Sequence, residues 1–132
     1  MSVLLDTSAY VALARGDRAV AQRVRDAERL IFSVVVVGEL LAGFRRSARA
    51  AENRERLNTL LESAYVDLLP VGPTTADRYA RIMAALREAG RPIPTNDVWI
   101  AAHTMESGAT LLTLDRHFEA VPGLVWEHPG RS

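Results

Sequence analysis

Short, mostly apolar runs alternate along this chain with longer stretches whose apolar residues recur at helical spacing. That alternation constrains the fold more than any other feature. The runs are Val3-Leu4-Leu5, Leu30-Ile31-Phe32, Val66 to Val71, Ala109 to Leu114 and Leu124-Val125-Trp126. Each has the length and bounding residues of a buried strand. Between them, helices are expected from Thr7 or Ser8 to Ala14, closed by Gly16, and from Arg18 to Glu28. Val34 to Val37 has strand propensity, but Val37, Leu40, Leu41 and Phe44 share one helix face and Ser33 stands where an N-cap is needed. The strand is therefore expected to end at Phe32 and a helix to begin at Val34. A polar helical region from Arg45 to Ala64, interrupted near Ser47, carries Leu57, Leu60, Leu61 and Ala64 as its apolar stripe. Gly72-Pro73 closes the third strand, Thr74 or Thr75 caps a helix ending at Gly90, and Thr95 or Asn96 caps one ending at Ser107. Strands alternating with helices define an α/β domain with a mainly parallel sheet of four to five strands. In such sheets ligands bind beyond the carboxyl ends of the strands, where Asp6 and Asp115 fall.

The 132 residues suit one domain, 1–132, with a flexible tail expected over 129–132. No apolar run approaches the roughly 18 residues of a membrane span. The start lacks the basic segment and cleavage site of a secretion signal, so a cytoplasmic location is expected. There is no cysteine, which excludes disulfides, thiolate zinc sites and cysteine nucleophiles. Every basic side chain other than histidine is arginine, so chemistry that needs lysine is excluded too. Formal net charge is zero, and affinity for phosphate must come from local arginines or bound metal.

Four acids stand out. Asp6 and Asp115 follow apolar strands, Asp97 opens a helix, and Glu39 sits among Val35, Val36, Gly38, Leu40 and Ala42. Taken singly, Asp97 suits a helix N-terminus, Asp115 a cap on the short helix around Phe118, and Asp6 a turn. Glu39 resists such a reading. A carboxylate in apolar surroundings costs several kcal/mol unless a cation partners it, and the nearest arginine in sequence, Arg45, is six residues away. Hard divalent cations choose carboxylate oxygen, and one or two of them can polarise a phosphodiester and activate water without histidine, cysteine or lysine.

Four segments carry a resemblance: Val3-Leu4-Leu5-Asp6-Thr7-Ser8; Val37-Gly38-Glu39-Leu40-Leu41-Ala42-Gly43; Asn96-Asp97-Val98-Trp99-Ile100-Ala101-Ala102; and Leu112-Thr113-Leu114-Asp115-Arg116-His117-Phe118 followed by Val121-Pro122-Gly123-Leu124. In order and spacing, over nearly the full length, the chain resembles the PIN-domain family, specifically the VapC-like toxins of bacterial VapBC toxin–antitoxin pairs. The resemblance implies a three-layer α/β/α sandwich with the four acids in one negative pocket. Asp6 and Asp97 would be the principal Mg2+ (or Mn2+) ligands, with Glu39 and Asp115 completing the site. Thr7, Ser8 and Thr113 would set hydroxyls beside the acids. The implied reaction is endonucleolytic cleavage of RNA. The implied partners are a VapB-like antitoxin, whose tail fills the acidic pocket, and a second copy in a homodimer.

Arg45, Arg46 and Arg49 lie in an arginine-rich region. If that region is one helix, Arg45, Arg49 and Arg56 share a stripe with Glu52. It then serves either as a solvated face with pairs such as Glu52–Arg56 or as an RNA-contacting arm. Trp99 is expected in the core or at a dimer interface, His103 on the surface, and His117 on the rim of the acidic site. Phosphoaspartyl chemistry is disfavoured by the missing lysine, and nucleoside-triphosphate hydrolysis by the missing Gly-rich loop. Two rivals remain: a nuclease acting in RNA maturation or on DNA with no toxin role, and a catalytically silent interaction domain of the same fold.

Overall fold

The computed structural model describes residues 1–130. Five strands, β1 (Ser2–Leu5), β2 (Arg29–Ser33), β3 (Val66–Leu69), β4 (Thr110–Leu112) and β5 (Trp126–Glu127), form one sheet in the order β3-β2-β1-β4-β5, every pair parallel. Six helices cover it: α1 (Thr7–Ala14), α2 (Arg18–Asp26), α3 (Val34–Phe44), α4 (Ala50–Leu61), α5 (Pro73–Ala89) and α6 (Thr95–Ser107). A 3-10 turn follows β4 over Arg116–Ala120. This is the expected three-layer α/β/α sandwich. Burial explains the apolar runs of the central strands β2, β1 and β4, since parallel strands covered on both faces leave no face for water. Val3, Leu4, Leu5, Leu30, Phe32, Leu111 and Leu112 are fully buried.

The strand order matters for function. The chain steps outward through β1, β2 and β3, then returns to place β4 on the other flank of β1. The connections therefore diverge between β1 and β4, leaving a crevice at the carboxyl ends of those two strands. Asp6 directly follows β1, and Thr113 to Asp115 directly follow β4.

Helix starts differ from expectation in ways that bear on the site. Asp6, not Thr7 or Ser8, caps α1: its carboxylate accepts from the Ala9 N–H at 2.9 Å. The backbone at Asp6 is extended, as an N-cap residue requires. Gly72 precedes α5, with Pro73 as the first helical residue and the Thr75 hydroxyl accepting from the Gly72 N–H at 3.1 Å. Pro94 likewise precedes α6, so neither Thr95 nor Asn96 caps it. Ser33 does cap α3, accepting from the Val35 N–H at 3.1 Å. The arginine-rich region is broken: α3 ends at Phe44 and α4 begins at Ala50. Arg45, Arg46 and Arg49 are exposed in the link and share no helical stripe with Arg56. No Glu52–Arg56 ion pair forms among the described residues; Arg56 instead donates to the Ala14 carbonyl at 3.4 Å.

His103 corrects another expectation. It is fully buried, not at the surface, with Nε2 3.0 Å from the Pro70 carbonyl and Nδ1 2.8 Å from the Ser33 hydroxyl. Trp99 is half-buried on α6 and stacks on Tyr79 of α5 with centroids 3.9 Å apart. Of the expected tail, Pro129 is buried and 129–130 form a turn; Arg131 and Ser132 lie outside the described residues. Among the described residues no helix is long and apolar enough to cross a membrane.

Candidate metal centre

The four acids reach one rim from four different elements. Asp6 leaves β1, Glu39 lies on α3, Asp97 occupies the first turn of α6, and Asp115 precedes the 3-10 turn. A closed ring of contacts joins them. Thr113 Oγ1 donates to Asp6 Oδ2 at 2.5 Å and accepts from the Asp115 N–H at 2.9 Å. Asp115 Oδ1 is 3.8 Å from His117 Nδ1, whose Nε2 is 2.6 Å from Asp97 Oδ2. Asn96, beside Asp97, donates from Nδ2 to Glu39 Oε2 at 3.2 Å. Thr7, beside Asp6, donates from Oγ1 to Glu39 Oε1 at 2.5 Å.

Asp6 is the most constrained. It is buried, and its carboxylate accepts from Ser8 Oγ at 2.7 Å, the Ala9 N–H and Thr113 Oγ1. Ser8 Oγ in turn accepts from the Leu114 N–H at 3.1 Å. Each oxygen of Asp6 is thus tied through a hydroxyl to the backbone after β4, which sets the spacing of Asp6 and Asp115. Burial raises the Asp6 pKa above the usual carboxylate range, the Thr113, Ser8 and Ala9 donors oppose the shift, and Asp115 adds repulsion. Burial also raises Asp97; His117 opposes it, while Glu39 and Asp6 reinforce it. The acids therefore sense one another's charge.

Thr7, Ser8 and Thr113 all touch the acids, where the resemblance implied their hydroxyls would lie. The surroundings of Glu39 differ from those inferred. It is half-buried rather than enclosed by apolar groups, and two hydrogen bonds satisfy it. Its helix turns the Gly38–Glu39 side toward the rim while Val36 and Leu40 face the core. Asp115 is exposed and makes no side-chain cap to the 3-10 turn. Sequence reasoning missed Asn96 as a contact to Glu39 and understated His117, which lies between Asp97 and Asp115. Their signals were adjacency: Asn96 directly precedes one acid, and His117 follows another by two positions.

The donor set suits a hard divalent cation. It consists of carboxylate and hydroxyl oxygens, and among the described residues no arginine pairs with any of the four acids. Asp97 Oδ1 has no hydrogen-bond partner among the described residues, since His117 takes Oδ2. As the side chains lie, no three His, Asp or Glu groups among the described residues stand at the spacing of a formed cation cage. A cation would draw the carboxylates inward.

Comparison with known proteins agrees with this architecture. The PIN domain family description matches residues 3–124. The chain is 33% identical over 120 residues to Ribonuclease VapC5 of Mycobacterium tuberculosis, covering 91% of this chain and 87% of that protein. It is 30% identical over 139 aligned positions to Ribonuclease VapC1 of Haemophilus influenzae, covering 96% and 97%. Among solved structures, VapBC-1 from nontypeable Haemophilus influenzae superposes with a TM-score of 0.85 at 28% identity, covering 97% of this chain and 98% of that one. VapBC-5 from Mycobacterium tuberculosis gives a TM-score of 0.72 at 30% identity, with 97% of each chain covered. With a match spanning all four acids and every helix of the sandwich, this chain belongs to the PIN domain family.

Proposed function

We propose that this chain is a divalent-metal-dependent endoribonuclease and the toxin of a type II toxin–antitoxin pair. The observation that supports this most is the convergence of Asp6, Glu39, Asp97 and Asp115 on the crevice between β1 and β4, with no arginine neutralising them among the described residues. The relatives' names, ribonucleases of the VapC type, supply the substrate class. Asp6 and Asp97 would hold Mg2+ or Mn2+, with Glu39 and Asp115 completing the site. When bound, such a cation polarises the scissile phosphodiester, activates water and offsets charge on the leaving oxygen. Thr113, Ser8 and the Ala9 N–H fix both oxygens of Asp6, while Thr7 and Asn96 fix both oxygens of Glu39. This preorganisation holds the Asp6 and Glu39 carboxylates in set orientations, so less reorganisation is needed when cation and substrate arrive. Hydrolysis forms a bond from water to phosphorus and breaks one P–O bond of the RNA.

The solved relatives are VapBC assemblies. This chain's proposed partners are accordingly a VapB-like antitoxin and a second copy of itself. A silent interaction domain would have no use for four acids held at this rim. A role in RNA maturation or on DNA is separated from the toxin role by expression: growth arrest relieved by Asp6→Ala supports the toxin, and harmless expression of folded wild type opposes it.

The direct test is cleavage of an RNA substrate with Mg2+. Asp6→Asn or Asp97→Asn should reduce the rate by at least about 100-fold while leaving the circular dichroism spectrum intact, in line with the loss of one strongly placed electrostatic group. Wild-type rates in excess chelator would defeat the metal mechanism.

A further inference from the structure

His117 lies against two of the four acids, yet its geometry is asymmetric. Nε2 is 2.6 Å from Asp97 Oδ2, whereas Nδ1 is 3.8 Å from Asp115 Oδ1, beyond hydrogen-bond reach. A carboxylate offers only lone pairs, so Nε2 carries the proton in this contact, and the neutral ring suffices to make it. The ring is about one-third exposed and tilts against fully buried Phe118, with centroids 5.0 Å apart. Phe118 anchors the 3-10 turn to the core, so the imidazole is presented from a fixed platform. Asp97, by contrast, has no other side-chain donor on its carboxylate among the described residues. Asp6 and Glu39 each have at least two.

We propose that His117 is the positioning residue for Asp97: by donating to Oδ2 it sets the carboxylate's orientation and leaves Oδ1 directed to a divalent cation. This inference rests on the metal-dependent reading above. It assigns His117 a role distinct from a ligand of the cation at Asp97, since Nε2, the nitrogen that faces Asp97, carries the proton and offers no lone pair. It also opposes the alternative in which the imidazole merely occupies the place of a cation and is displaced by it. Removing a positioning donor weakens metal binding, whereas removing a competitor strengthens it.

The experiment measures Mn2+ alone binding to the purified full-length chain, by loss of the free-ion paramagnetic resonance signal, with no RNA present. Asp97→Asn defines the site. His117→Leu keeps bulk over Phe118 but has no donor, and His117→Gln restores an N–H near the position of Nε2. Outer-shell donors of this kind are worth about 10- to 100-fold in metal affinity. His117→Leu should therefore raise Kd at least about tenfold, with His117→Gln recovering most of it, while both variants melt within a few degrees of wild type. A His117→Leu chain that binds Mn2+ as tightly as wild type, or more tightly, overturns the positioning role and leaves the nuclease reading standing. Failure of His117→Gln to recover affinity overturns it as well. If wild type shows no Mn2+ binding that Asp97→Asn removes, the metal-dependent reading and this inference fall together.

Discussion

Among single residues, Asp6 shows how two readings of one side chain can both hold. It caps α1 through the Ala9 N–H and also presents a buried carboxylate to the crevice. Its pKa and that of Asp97 are raised, chiefly by burial. A carboxyl whose folded pKa exceeds its unfolded value favours folding when protonated. That contribution is complete below the unfolded carboxyl range and is lost as pH rises through the folded values. At neutral pH without metal, both groups therefore weaken the fold. Asp97→Asn should melt higher than wild type in chelator at pH 7, with the gap closing as pH falls through the raised carboxyl range. Adding Mg2+ should narrow or reverse it, because only wild type gains a ligand. Thermal melts across pH, with and without Mg2+, check this; a gap that widens on acidification would contradict the shift.

The elements are held in relative position by a buried polar chain. The Pro70 carbonyl after β3 can only accept, so His103 Nε2 donates to it. Nδ1 then accepts from the Ser33 hydroxyl, which accepts from the Val35 N–H at the start of α3. This links α6, which carries Asp97, to the first turn of α3, which carries Glu39. No buried side-chain polar atom is left unpartnered among the described residues. His103→Leu would strand the Ser33 O–H donor and the Pro70 carbonyl oxygen and should cost about 2 kcal/mol. Urea titration should show a lower midpoint at unchanged slope, and a loss below about 0.5 kcal/mol would mean the network is solvated or dispensable. Periodicity was of little help here, because α6 is buried nearly all round: Val98, Ile100, Ala101, Ala102, His103 and Thr104 are all covered. A helix that packs against the sheet on one side and α5 on another shows no clean polar face.

For the whole molecule, zero net charge means that RNA affinity must be local. The exposed link between α3 and α4 offers Arg45, Arg46 and Arg49, free of ion pairs among the described residues. If these contact RNA phosphates, replacing all three by glutamine should reduce the slope of log affinity against log salt by about 2, given roughly 0.7 per single-strand phosphate contact. An unchanged slope would remove the RNA-arm assignment.

Fold class and the central strands β2, β1 and β4 were legible in the sequence because strands buried on both faces read as short, mostly apolar runs; the part-exposed edge strands β3 and β5 were marked by short apolar stretches between turn residues. The break near Ser47 and the Ser33 cap were legible because they depend on neighbours in the chain. Burial of His103, the half-open setting of Glu39, and the partners of Asn96 and His117 depend on residues many positions away; adjacency to an acid marks the last two as near the site but not what they touch. Strand order belongs to the same class. The chain's own alternation specifies parallel strands, but only packing places β4 beside β1, and that adjacency opens the crevice in which carboxylates from four elements come within each other's electrostatic reach.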